Sequence, residues 1–272
     1  MGASNRTANR VMATLNSSIL QTSKDLVFGI MDLTNRNKPL IPPLKLRRVI
    51  GQSDNYTQNR TDHFEDLCEL TSHSNILDVG CGCGSLAYSL IKYRNFQGNY
   101  EGFDVIKEFT DWLAENVTSK YPNYHFKHAN VYNKSYNPSG KIEPTEFRFP
   151  YKSNTFDMAL LGSVFTHMLP SDLENYLSEV NRVLKPQGKC LISYFLLSSE
   201  RPQSIVDHEF RKRFVDSGRG YWTINIERPE DAVAYQQGFI LSLYKTYGLQ
   251  LAAPVIYSGY QDAIVASKLA ET

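Results

Sequence analysis

The sequence is short of three things. It has only four cysteines, no apolar run approaching the roughly 18 residues of a membrane span, and no surplus of charge of either sign. Each absence excludes something. Cys68, Cys81, Cys83 and Cys190 lack the spacing of a disulfide framework, and no finger-like ligand set surrounds the Cys81/Cys83 pair. All four therefore read as reduced thiols, and no metal site is expected. The 29 basic residues against 28 acidic ones leave a formal net charge of +1, so no global field gathers nucleic acid or an acidic membrane. One local basic cluster, Lys45, Arg47 and Arg48, reads as a solvated surface turn. The opening stretch MGASNRTANRVMATLN lacks the apolar core of a signal peptide, so the expected compartment is the cytoplasm.

What is present is an apolar fraction of 42% in 272 residues, enough for one large domain with an added cap. Residues 1–70 read as the cap. Val11, Leu15, Ile19, Leu26 and Ile30 are scattered along a helix or two over 11–33, and Pro39, Pro42 and Pro43 then interrupt regular structure. Thr61 to Leu70 has the spacing of a short helix through Phe64, Leu67 and Cys68. Residues 71–272 read as the main domain.

That domain alternates strands and helices. Strands are predicted at 75–79, 100–105, 124–129, 156–161 and 189–195, the third being polar enough for a sheet edge. Between the last two, Leu173, Tyr176, Leu177, Val180 and Leu184 form the apolar stripe of a helix. Ser171 and Glu174 suggest its capping box, and Pro186 and Gly188 end it. Such alternation argues for a mostly parallel sheet covered on both faces. After residue 198 the rhythm breaks, apart from a possible helix near 205–215. A helix from about Glu230 to Tyr247, ended by Gly248, leads to two closing strands at 249–257 and 262–267. So short a connection makes that pair antiparallel.

The chemistry concentrates in ILDVGCGCGSL, residues 76–86. An apolar strand ends at Asp78, Gly80, Gly82 and Gly84 alternate through a tight turn around Cys81, and a helix follows. Amide groups at such a helix start favour an electron-rich ligand group. Asp104 stands twenty residues after Gly84, at the end of the second strand, where an acid accepts from two ribose hydroxyls. A dinucleotide site needs G-x-G-x-x-G around a pyrophosphate; strict alternation with an acid two residues upstream is a different pattern. DVGCGCG and GFDV resemble the first and second motifs of the class I S-adenosylmethionine-dependent methyltransferases, HANVYN resembles their third-strand motif, and residues 156–195 with the LKPQG turn are similar to their fourth strand, following helix and fifth strand.

The resemblance covers residues 70–200 and implies an α/β fold: a Rossmann-like, seven-stranded, mostly parallel sheet with an antiparallel last strand and helices on both faces, behind a helical N-terminal cap. It implies S-adenosyl-L-methionine as cofactor and S-adenosyl-L-homocysteine as product. Asp78 would approach the cofactor's amino group, directly or through water. Gly80, Cys81, Gly82 and Gly84 would line its methionine and ribose portion, and Asp104 would hold the ribose. Val105 or Ile106 would pack on the adenine, with Asn130 and Val131 at its edge. Many relatives carry Asp where this chain has Asn130. Gly162 and Ser163 would flank the transferable methyl.

Methyl transfer from a sulfonium needs alignment of the acceptor, exclusion of water and, for a hydroxyl acceptor, a base. His167 follows the fourth strand at the carboxyl edge of the sheet, where ligands of such sheets bind, and is the candidate base; local packing before Pro170 is the competing reading. The insertion from Tyr132 to Tyr151, rich in aromatics, reads equally as an acceptor flap or a packed surface loop. A small or medium-sized acceptor is expected, with no nucleic acid partner; the oligomeric state is unreadable. A macromolecule methyltransferase is disfavoured by neutral charge and by Leu161-Gly162-Ser163-Val164 in place of the Asn/Asp-Pro-Pro-aromatic signature of base amino methylation. A nicotinamide oxidoreductase is disfavoured by the glycine spacing, and a cofactor-holding module without transferase activity stays open.

Overall fold

The computed structural model describes residues 40–51, 67–205 and 208–270. The chain divides into two compact units, residues 1–57 and 58–272. In the first, helix α1 (Leu44–Val49) starts directly after Pro43, whose fixed φ suits a helix entry. Arg47 is buried there and donates from Nε to the Pro42 carbonyl at 3.0 Å, whereas Lys45 and Arg48 are exposed, so one member of the basic cluster departs from the solvated reading. The helices expected over 11–33 and most of Thr61–Leu70 lie outside the described residues; Leu67 and Cys68 are helical.

The second unit is the α/β domain. Strands β1 (Ile76–Val79), β2 (Tyr100–Asp104), β3 (Tyr124–His128), β4 (Phe156–Leu161) and β5 (Leu184–Leu197) run parallel in the order β3-β2-β1-β4-β5. Helices α2 (Ser85–Tyr93), α3 (Lys107–Leu113, extended by a π turn over Ala114–Thr118) and α4 (Pro170–Val183) connect them. β3 is the sheet edge, as its polar character suggested, with His125 and His128 exposed. Behind helix α5 (Gln237–Thr246), β9 (Leu249–Leu251) and β10 (Asp262–Lys268) close the sheet as an antiparallel pair, β10 lying along β5. Gly248 ends α5 with φ +69°, in the left-handed region.

Two boundaries differ from the sequence reading. α4 begins at Pro170, with Leu169 as its cap residue. Asp172, not Ser171 or Glu174, takes the Leu169 N–H, at 3.0 Å. The helix predicted from Glu230 resolves into a 3₁₀ turn (Pro229–Asp231), strand β8 (Val233–Gln236) and α5. β8 pairs in parallel with Phe195–Leu197 at the far end of β5, and β7 (Trp222–Thr223) and β6 (Val215–Asp216) add to it. Among the described residues the sheet therefore has ten strands, two of them from the segment whose polar composition suggested irregular chain.

The α4 stripe of Leu173, Tyr176, Leu177, Val180 and Val183 is buried against the sheet, each side chain contributing on the order of 1.5–3 kcal/mol. The aromatic insertion splits in two. Phe147 and Phe149 are core residues packed on Phe103 and Tyr176. Glu179 accepts from the Phe149 N–H at 2.6 Å, and Arg182 donates to the Phe149 and Tyr151 carbonyls. Only residues 130–142 form a separate loop, stitched by Asn130–Ile142 and Asn133–Asn137 backbone bonds.

Candidate functional site

Along the carboxyl edge of the sheet, β1 delivers the glycine turn, β2 delivers Asp104, and β4 delivers Gly162, Ser163 and His167. Gly80, Gly82 and Gly84 have φ of +68°, +54° and +87°, a region only glycine enters freely. Two of them also leave no room for a side chain. A Cβ on Gly80 would lie 2.6 Å from Cγ2 of Val164, and one on Gly84 would lie 2.4 Å from Cδ2 of Leu113. The turn is thus pressed between the chain leaving β4 and helix α3. Cys81 is buried beside Gly102, and the four cysteines, all buried, form no disulfide.

Four amides of the turn are already bonded. Gly80 and Cys81 N–H groups donate to the Phe103 carbonyl (2.9 and 3.0 Å), Gly84 N–H donates to the Cys81 carbonyl (3.0 Å), and Gly82 N–H donates to Asp104 Oδ2 (2.8 Å). A phosphate-cradling loop needs such donors free, and the local charge here is negative. Asp104 Oδ1 takes the Ile106 N–H at 2.9 Å, and Asp78, buried one turn away, accepts from the Tyr100 hydroxyl at 2.5 Å. Burial pushes the Asp78 carboxyl up to about 7 against the Tyr100 hydrogen bond, with Asp104 adding to the rise. Burial likewise pushes Asp104 up to about 6 against the amides of Ile106, Gly82 and Val105. Two carboxyls at the edge of ionisation favour a ligand that brings positive charge and hydroxyl donors. With three amides on its two oxygens, the Asp104 carboxylate keeps a lone pair for a ribose hydroxyl.

Val105 and Ile106 are half-buried at the end of β2, while Val131 is buried and Asn130 is exposed at the start of the 130–142 loop. β2 and β3 are neighbours, so this group shares one end of the site with Asp104. Gly162 and Ser163 are exposed at the end of β4, and Ser163 holds φ +60°, strained for a residue with a side chain. Its N–H donates to Ser193 Oγ (2.7 Å), and both serine hydroxyls donate to Gln261 Oε1 (2.9 Å each). Ser193, Gln261 and Tyr100 were not found from the sequence. Their bonds span 30, 98 and 22 residues, and no local pattern marks such partners.

His167 sits in a 3₁₀ turn (Phe165–His167) and is not a free surface residue. Nδ1 lies 2.9 Å from the Glu230 carbonyl oxygen. A carbonyl only accepts, so Nδ1 carries the proton and Nε2 holds the lone pair of the neutral ring. Burial lowers the imidazole below its ordinary range, opposed by the Glu230 carbonyl and Asp231. The ring also meets Tyr136 edge-on at 5.4 Å. Ser135 donates to Asp231 and Lys134 to the Glu227 carbonyl, so the 130–142 loop and the 225–231 segment meet around His167.

This arrangement has relatives. Residues 70–238 match the family described as "Methyltransferase domain". A 2-phytyl-1,4-naphtoquinone methyltransferase from Nostoc sp. is 29% identical over 143 residues, covering 52% of this chain and 53% of that protein. Phosphoethanolamine N-methyltransferase 3 of Arabidopsis thaliana is 25% identical over 175 residues, 64% of this chain and 32% of that one. The chain thus spans about half the length of the first curated relative and less of the second. The fold is shared with a SAM-dependent methyltransferase from Aquifex aeolicus at TM-score 0.52 and 18% identity, covering 84% of this chain and all of that one. A glycine turn of this geometry between β1 and α2, an acid closing β2, and a family match over more than half of the residues together make this chain a member of the methyltransferase domain family.

Proposed function

We propose that the chain moves the methyl group of S-adenosyl-L-methionine to a hydroxyl or other heteroatom of a small or medium-sized acceptor in the cytoplasm, leaving S-adenosyl-L-homocysteine. The observation that carries this is the pairing of Asp78 and Asp104 around a glycine turn with four amides already bonded. That arrangement suits a ligand with a cationic amino acid head, a sulfonium and a ribose better than a pyrophosphate. When bound, S-adenosylmethionine supplies a methyl carbon on positively charged sulfur, a leaving group that needs no protonation.

The residues of the chain do the rest. Asp104 holds the ribose, Asp78 faces the amino group, and Val105, Ile106, Asn130 and Val131 enclose the adenine end. Gly162 and Ser163 border the reacting carbon. His167 Nε2 takes the proton that a hydroxyl acceptor loses as its oxygen attacks, and a lowered imidazole pKa keeps that nitrogen unprotonated at neutral pH. The relatives named for a naphthoquinone and for phosphoethanolamine support acceptors of modest size.

Calorimetric titration tests this reading. S-adenosylmethionine and S-adenosylhomocysteine are expected to bind at micromolar concentration, with NADH silent and Asp104→Ala weakening both by about tenfold or more. NADH binding alone would replace methyl transfer by hydride transfer. Binding of none of the three would favour a module that no longer uses the site.

A further inference from the structure

We infer that Gln261 is a specificity-determining residue for the acceptor, presenting its amide N–H to an oxygen on an apolar ring compound. The inference rests on the methyl-transfer reading and adds to it a class of acceptor. β10 runs antiparallel to β5, so its first residue lies at the same carboxyl edge as the end of β4. Gln261 precedes that residue and reaches across to Ser163, next to Gly162.

Both serine hydroxyls donate to Gln261 Oε1, and Ser193 Oγ also accepts the Ser163 N–H. Oε1 is then filled by two donors. Nε2 has no protein acceptor among the described residues, and Gln261 is only half-buried. Two N–H groups are therefore aimed from the β4–β5–β10 corner with nothing in the described chain to receive them.

The neighbouring wall is aromatic. Ser193 and Phe195 point to the same face of β5 by strand alternation. The Phe195 ring packs on Phe210, Phe214 and Tyr260 at 5.5, 5.0 and 5.6 Å between centroids. Tyr260 directly precedes Gln261 and is 47% exposed. An apolar ring on the aromatic wall and one accepting oxygen at Gln261 together match what the corner offers.

The test uses the full chain saturated with S-adenosylhomocysteine and two probes, 1-indanone and indane, which differ in one accepting carbonyl. Ligand-observed NMR gives their dissociation constants. The wild type is expected to bind 1-indanone about tenfold more tightly than indane, the worth of one hydrogen bond. Gln261→Glu keeps an acceptor for both serines but removes the N–H groups, and Gln261→Leu removes both. Each is expected to abolish the preference; Gln261→Glu, which still accepts from both serines, is expected to retain indane binding. Equal preference in wild type and Gln261→Glu would overturn the inference, as would failure of the wild type to bind 1-indanone. Loss of cofactor binding in the wild type itself would instead bring down the methyl-transfer reading on which this one stands.

Discussion

Among single residues, the glycines and the two acids carry the sharpest consequences. Gly84→Ala places a methyl 2.4 Å from Leu113 at a φ of +87°, so both backbone strain and overpacking oppose it. We expect a loss of about 1–3 kcal/mol in chemical denaturation, partly regained when Leu113→Ala is added; an unchanged midpoint would mean that α3 yields freely. The acids set a pH dependence. Asp78 and Asp104 have folded values of about 7 and about 6 against 3.8 for the ordinary carboxyl. The folded state thus holds protons that the unfolded state releases, so their contribution to stability is full below about pH 4 and is lost as pH rises through 6 and 7. A cationic cofactor needs both acids ionised. Its affinity should therefore rise over the same interval, with proton release visible as a dependence of the binding enthalpy on the buffer. A flat affinity from pH 5.5 to 8 would detach these carboxyls from the cofactor.

At the scale of elements, the tie that positions the acceptor edge is Asp262. It is fully buried at the start of β10 and meets Arg201 at 2.6 Å, Arg211 at 3.1 Å and the Leu196 N–H at 3.0 Å. Asp262→Ala leaves two largely buried guanidinium groups without that carboxylate and should cost about 3–5 kcal/mol in urea unfolding. A loss under 1 kcal/mol would show that the arginines find other partners. The elements also show what a sequence discloses. β1, the glycine turn, α2 and β2 were legible because strand, turn and helix each leave a local mark within 29 residues, Ile76 to Asp104. β8 was not. Val233–Gln236 resembles the first turn of α5 until Phe195–Leu197 is known to pair with it, a contact set by the fold rather than by neighbours in the chain. Gln261 was illegible for the same reason, its partners lying 68 and 98 residues away.

Across the whole molecule, protection against hydrogen exchange should be graded. β1, β4 and Lys189–Ile192 of β5 have strand partners on both sides and are largely buried, whereas β6 and β7 are two-residue strands at a margin. Exchange is expected to be slowest in the former and fastest at Val215–Thr223, with saturating S-adenosylmethionine slowing residues 78–84 and 104–106 most. At a hundredfold excess over its dissociation constant the ligand should add about 2.7 kcal/mol to global stability. The division between the two sides of the site has a consequence for descent. The donor side is one continuous turn in which Gly80 touches Val164 and Gly84 touches Leu113, so almost any drift there jams the mechanism. On the proposed reading the acceptor side is assembled from chain outside the parallel core of the sheet, at 130–142, 215–231 and 256–261. Mutation can rebuild those walls one at a time while the donor grip stays as it was, so a lineage with this architecture can change its clientele without first losing its trade.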